Sequence, residues 1–275
     1  FRLCPSNSRL YLILIRRVPV VAGLVIVGVI DARAISATKI DDAAAASCTN
    51  NPTPPLSSPY SMNIAVVGAN GGLGSALVRA ALAKGHKVTA MARTKQKLKG
   101  ALGNQFGNVR PVIGDATDAT AMQDALTGQD ACVEALGNSV RGEAVQLILA
   151  NKVPSIIVIG GFGMLKDLDT SGKPTGKLQW ETAGLPAWFE GASKGYMGHR
   201  DHLLSLPNQN FMITAAPMLK DDSNMVAPIA GIADEMGRGD SLMSYNKVAA
   251  FMVDNLDLSK SQWNCKVVGL KYAKL

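Results

Sequence analysis

The chain has 275 residues, enough for one large domain or two small ones, and a formal charge of +7. Residues 1 to 61 hold six bases and three acids, so +3 of that charge lies in the first stretch and only +4 in the rest. No basic stripe interleaved with aromatics accompanies this mild excess, which argues against a nucleic-acid surface and suits a small anionic ligand. Cys4, Cys48, Cys132 and Cys265 have neither metal nor redox spacing, so no metal site is expected and a reducing compartment fits better than an oxidising one.

The first 61 residues read as a presequence and linker outside the fold. Arg9, Arg16 and Arg17 precede an apolar run from Val18 to Ile30, and Ala32-Arg33-Ala34 follows, the order of a secretory signal peptide. The run is too short to span a bilayer, which needs about 20 residues, so no stable membrane span is expected. Residues 35 to 61 are rich in Ala, Ser, Thr, Asn and Pro without apolar periodicity. A signal followed by such a stretch points to a plastid of secondary origin. Asp31, Asp41 and Asp42 oppose that reading, and a start at Met62 would instead give a cytoplasmic protein.

From Met62 onward strands and helices alternate. Ile64 to Val67 is an apolar strand that runs into Gly68, Gly71 and Gly74; an amphipathic helix continues to Lys84, and a second strand covers Val88 to Met91. Glycines between a strand and a helix let the backbone turn tightly and approach a pyrophosphate, while the helix amino end offers free N–H groups to the same anion. An acid that holds a ribose 2′-hydroxyl is expected about 20 residues beyond the glycines. Here position 93, 19 residues after Gly74, is arginine, followed by Thr94, Lys95, Lys97 and Lys99. A guanidinium suits a 2′-phosphate that an acid would repel, so the spacing favours NADP(H). Lys95 and Lys99 read as solvated surface.

Arg110 to Ile113 forms a third strand ending in Gly114-Asp115. A helix Ala119 to Leu126 and a fourth strand Ala131 to Ala135 follow, the latter ending in Leu136-Gly137-Asn138. Arg141 to Asn151 is helical, and Ser155 to Ile159 is a continuously apolar fifth strand, as a strand buried on both faces should be. The pattern predicts an α/β fold: one doubly wound parallel sheet over residues 62 to 275 with a small C-terminal substrate-side portion. Residues 160 to 191 read as a long functional loop, followed by a helix Ser193 to Leu206, a strand Phe211 to Thr214, a helix Asn246 to Asn255 and a last strand Trp263 to Val268. Ligands on such sheets bind beyond the carboxyl ends of the strands, which brings Gly160 to Phe162 into the candidate site.

The segments V-V-G-A-N-G-G-L-G, A-R, G-D-A-T-D, G-Q-D-A-C-V-E-A-L-G and Y-N-K-V-A-A-F-M resemble the atypical short-chain dehydrogenase/reductases, in particular the NmrA-like and biliverdin-IX-beta/flavin reductase branch. The resemblance covers residues 62 to about 270. It implies that Gly68, Gly71 and Gly74, with Asn70, Gly72 and Leu73 in the same loop, hold the pyrophosphate, and that Arg93 meets the 2′-phosphate. It also implies that Asp115 lies by the adenine and that Gly137 lines the nicotinamide side, while Gly160 is a cofactor-binding candidate from its place at the end of the fifth strand. Better-known dehydrogenases use a Ser after the fifth strand and Tyr-x-x-x-Lys on the next helix. Here the fifth strand ends Gly160-Gly161-Phe162-Gly163, and Tyr196 is followed four residues later by Arg200, on the same helix face.

Ketone chemistry needs a positioned proton donor, whereas flavins, quinones and bilins can take hydride with a proton from solvent. The missing Ser therefore favours an NADP(H)-dependent reductase of a flat conjugated small molecule, for which Phe162, Trp180 and Trp188 would suit stacking. The alternatives are a cofactor-binding sensor or assembly subunit of a larger complex, without turnover, and an ordinary alcohol/ketone dehydrogenase using Tyr196.

Overall fold

The computed structural model describes residues 61–136, 141–171, 173–181, 187–206, 208–222, 228–232 and 242–271. The presequence reading and Gly137 fall outside them. The first half alternates β1 (Asn63–Val67), α1 (Gly72–Ala83), β2 (Lys87–Ala92), α2 (Lys95–Leu102), β3 (Val109–Ile113), α3 (Ala119–Leu126), β4 (Ala131–Glu134), α4 (Arg141–Ala150) and β5 (Ser155–Gly161). A hairpin of β6 (Lys166–Leu168) and β7 (Pro174–Leu178) follows, then α5 (Ala187–Leu204) and β8 (Asn210–Ala216). The rest is β9 (Met218–Lys220), β10 (Ile229–Ile232), β11 (Leu242–Ser244), α6 (Tyr245–Asp254) and β12 (Lys266–Lys271).

Among the described residues, eight strands form one sheet in the order β10-β12-β8-β5-β4-β1-β2-β3, and every neighbouring pair is parallel except β10 with β12. The expected doubly wound α/β domain is thus what the chain builds. Side-chain alternation divides its core. Ile64 and Val66 face the layer that holds α1, α2 and α6, whereas Ala65 and Val67 face the one that holds α3, α4 and Leu203 of α5. Burial on both faces is why these strands read as unbroken apolar runs.

Two differences from the sequence reading have physical causes. Residues 160 to 191 are not structureless: the β6–β7 hairpin lies among them, and α5 begins at Ala187, six residues before the expected Ser193. Short strands of Lys, Asp, Thr and Gly carry no period-2 apolar signal. Further along, Met218–Lys220 pairs in parallel with Leu242–Ser244 in a small separate sheet, and the antiparallel β10 covers the β12 edge.

α1 and α6 lie side by side and parallel. Gly72, the first residue of α1, meets Tyr245, the first of α6, while Lys84 at the other end of α1 forms an ion pair with Asp254 at the end of α6. The strand order reverses between β1 and β4, so the crevice at their carboxyl ends is the topological switch point of the sheet.

Candidate nucleotide-binding site

A cleft of about 230 Å³ opens at that switch point. It is lined by Val67, Gly68, Asn70 and Gly71 at the end of β1, Met91, Ala92 and Arg93 at the end of β2, Gly114, Asp115 and Ala116 after β3, and Ala135 and Leu136 after β4. Four strand ends separated in sequence thus bring Gly68, Asn70, Gly71, Arg93 and Asp115 around one space.

The turn after β1 is shaped by two glycines for different reasons. Gly68 has φ +88°, a conformation open to glycine, and a Cβ there would stand 2.7 Å from the carbonyl oxygen of Ala135. Its N–H and that of Ala69 both donate to the Met91 carbonyl, at 3.1 and 3.0 Å, which ties the turn to β2. Gly74 is required by contact alone: a Cβ there would lie 2.1 Å from the carbonyl oxygen of Gly68. α1 therefore starts pressed against the turn. Its N-cap, Gly71, has no side chain to offer, and its first turn has no acid. The first intrahelical bond is Ser75 N–H to the Gly71 carbonyl at 2.8 Å, which leaves the amino-terminal N–H groups of Gly72, Leu73 and Gly74 for a ligand. By contrast α2 and α3 are capped by Thr94 and Asp118. Leu73 itself is buried, so only its backbone can serve the site.

Arg93 is exposed at the rim. The acid closest in character to the missing one comes from another strand: Asp115, after β3, accepts hydrogen bonds from the Thr117 N–H at 3.1 Å and hydroxyl at 2.9 Å. Those bonds, aided by the positive charge of Arg93, hold its carboxyl below the ordinary carboxylate range. Asp115 is thus an anion facing Arg93 across the cleft, anchored by its own turn.

Two residues that border the site were not singled out in the sequence. Glu134 is fully buried at the end of β4 and accepts the Leu136 N–H at 2.7 Å, which turns the chain under the cleft. A charge ending the apolar run A-C-V-E was its only signal. Burial, and then the Glu134 charge, push the Cys132 thiol far above the ordinary thiol range, so this cysteine is an inert core residue. The other is Tyr245, whose ring covers Gly72.

The residues read as catalytic are not among those that line this cleft. Tyr196, on α5, packs its ring against Gly161 at the end of β5, where a Cβ would lie 2.7 Å from Tyr196 Cε2. The guanidinium of Arg200 turns to the carboxylate of Asp201 at 3.5 Å and the thioether of Met197 at 4.0 Å. Gly160 is inside β5, its flank filled by Met164 and Ile213. Trp180 is half-buried in the turn after β7, with an indole N–H that has no partner among the described residues, while the side chains of Phe162 and Trp188 lie outside them. Among the described residues no group of three or more His, Cys, Asp or Glu could hold a metal, and no helix is long and apolar enough to cross a membrane.

A glycine turn, an uncapped helix start and a switch-point cleft define a Rossmann domain built for a nucleotide. The model of the NAD(P)H-binding family matches residues 68–258, and the chain belongs to that family. This agrees with the atypical short-chain dehydrogenase/reductase resemblance of its motifs. Solved structures share the fold. A candidate NADH-flavin reductase from Streptococcus pneumoniae is 24% identical, with a TM-score of 0.63 over 77% of this chain and 100% of its own. A candidate epimerase from Bacteroides thetaiotaomicron is 19% identical, with a TM-score of 0.65 over 78% and 99% of the two chains. A wide-type short-chain dehydrogenase/reductase from Veillonella parvula, solved in complex with NADP, is 17% identical, with a TM-score of 0.60 over 77% and 94%. No curated protein matches the chain.

Proposed function

We propose that the chain is an NADP(H)-dependent reductase that passes hydride to a flat conjugated acceptor such as a flavin, quinone or bilin. Arg93 carries the proposal: it lines the cleft at the end of β2, where an NAD-selective site would place an acid. The bound nicotinamide supplies the hydride. The protein's part is to hold and orient the cofactor. The N–H groups of Gly72 and Leu73 take the pyrophosphate, Arg93 the 2′-phosphate, and Asp115 borders the adenosine end. Gly68 keeps the turn close enough to the β4 end for a nucleotide to lie across both. No Ser follows the fifth strand and Arg200 stands in the Lys position of the Tyr-x-x-x-Lys pattern, which supports an acceptor whose proton comes from solvent. The neighbour assigned to flavin reduction is consistent with this acceptor class.

NADPH should bind more tightly than NADH, and Arg93→Ala should narrow the gap. A hydrogen bond to a charged group contributes roughly 1.5–3 kcal/mol, and the lower end is expected because Arg93 is exposed. Equal affinity of the intact chain for both nucleotides would reject NADP selectivity. The same departure from the Tyr-x-x-x-Lys pattern favours one other reading, a cofactor-binding subunit without turnover. Tight NADPH binding with no oxidation by any flavin or quinone acceptor would select it.

A further inference from the structure

α6 reaches the glycine turn through its first residue. A Cβ built on Gly72 would lie 2.7 Å from Tyr245 Cζ, 2.8 Å from Cε2 and 3.1 Å from Cε1. It is therefore the hydroxyl-bearing edge of the ring that covers Gly72, and the phenol oxygen stands one bond from that contact. This hydroxyl makes no hydrogen bond among the described residues, and the side chain is only half-buried. Gly72 is the first residue of α1, where unsatisfied N–H groups face outward.

The helices sharpen the point. α1 and α6 are parallel with their amino ends together, and neither has a side-chain cap or an acid in its first turn. Two partial positive charges side by side repel each other, and an anion between them relieves that repulsion. Ser244, the α6 N-cap residue, is buried, so Tyr245 is the first side chain of α6 that can reach a ligand over α1.

We infer that Tyr245 is a cofactor-binding residue whose hydroxyl donates a hydrogen bond to the pyrophosphate held at the start of α1. The aromatic ring sets the height of the phosphate above Gly72, and the hydroxyl supplies a neutral donor from the far end of the chain. This rests on the placement of the pyrophosphate made in the proposed function, but not on selectivity for NADP.

The test uses the full chain and Tyr245→Phe, which removes one oxygen and keeps the ring on Gly72. NADPH, NADH and adenosine 2′-phosphate, which has no pyrophosphate, are titrated by calorimetry, and thermal midpoints are taken without nucleotide. Both dinucleotides should bind about tenfold more weakly to the variant, near the lower end for a hydrogen bond to a charged group. Adenosine 2′-phosphate affinity and the midpoint should not move. Unchanged dinucleotide affinity would overturn the inference alone, as would an equal loss for adenosine 2′-phosphate, which would mark Tyr245 as a support of the turn. Failure of the intact chain to bind any nucleotide would overturn this inference and the proposed function together.

Discussion

Substituting Gly74 by alanine tests whether the close seating of α1 on the β1 turn is what makes the cleft bind. The added Cβ would begin 2.1 Å from the Gly68 carbonyl oxygen, a backbone atom that cannot swing aside, and must recede beyond 3.0 Å. α1 has to move by most of an ångström or the turn must open. Overpacking of this kind costs about 1–3 kcal/mol. For a domain of this size each kcal/mol lowers the midpoint by about 2–4 °C, so a fall of roughly 2–12 °C is expected. Binding should suffer more than stability. The displaced N–H groups belong to the first turn of α1, and losing one charge-assisted bond at roughly 1.5–3 kcal/mol weakens NADPH at least tenfold. Thermal unfolding and nucleotide titration on one preparation measure both effects. Gly100→Ala is the control, because Gly100 lies inside α2 with nothing within 4 Å of its Cβ position. It should leave binding alone and stabilise by up to about 1 kcal/mol. A Gly74→Ala protein with unchanged midpoint and affinity would refute the reasoning.

Two other outcomes follow, one from the helix packed on β5 and one from the amino edge of the sheet. Tyr196→Phe keeps the ring on Gly161, and turnover with a flavin or quinone should fall by less than about tenfold. The loss of a general acid would cost 10²–10⁴-fold, and a thousandfold drop with intact cofactor binding would restore the tyrosine-dependent dehydrogenase. His86 is buried, and its Nδ1 accepts the Met62 N–H at 3.2 Å. Burial, and then the Lys84 charge, hold its pKa below the ordinary histidine value. The unfolded chain therefore binds the proton first, so stability is full above about pH 6.5 and declines as the pH falls towards the lowered folded value. Denaturant unfolding at pH 7.5 and 5.5 should show the decline. His86→Gln should reduce it, and an undiminished decline would assign it to other groups.

What could be read from the chain follows from how local each signal is. The β1–α1–β2 unit is written in consecutive residues, so its glycines, its helix and Arg93 stand at the expected strand ends. The same holds for Asp115 after β3. The β6–β7 hairpin and the β9 and β11 strands of three residues each have no periodicity to detect. Tyr245 illustrates the harder case. Its motif was visible, but its neighbour is Gly72, and that contact exists only because α6 returns to pack on the same sheet face as α1. The Arg200 pairing was equally hidden: spacing on a helix puts it near Tyr196, yet it bonds to the adjacent Asp201.

The clasp of α1 by α6 also sets an order of assembly. During synthesis the glycine turn emerges early, yet one flank of α1 stays uncovered until Val248, Ala249, Met252 and Val253 arrive, near the end of the chain. Lys84 waits equally long for Asp254. Closing so wide a loop is entropically slow, so a helix made early is finished late. A nucleotide that needs α1 in place recognises only a chain whose α6 has docked, and by mass action its binding energy is distributed to the whole domain.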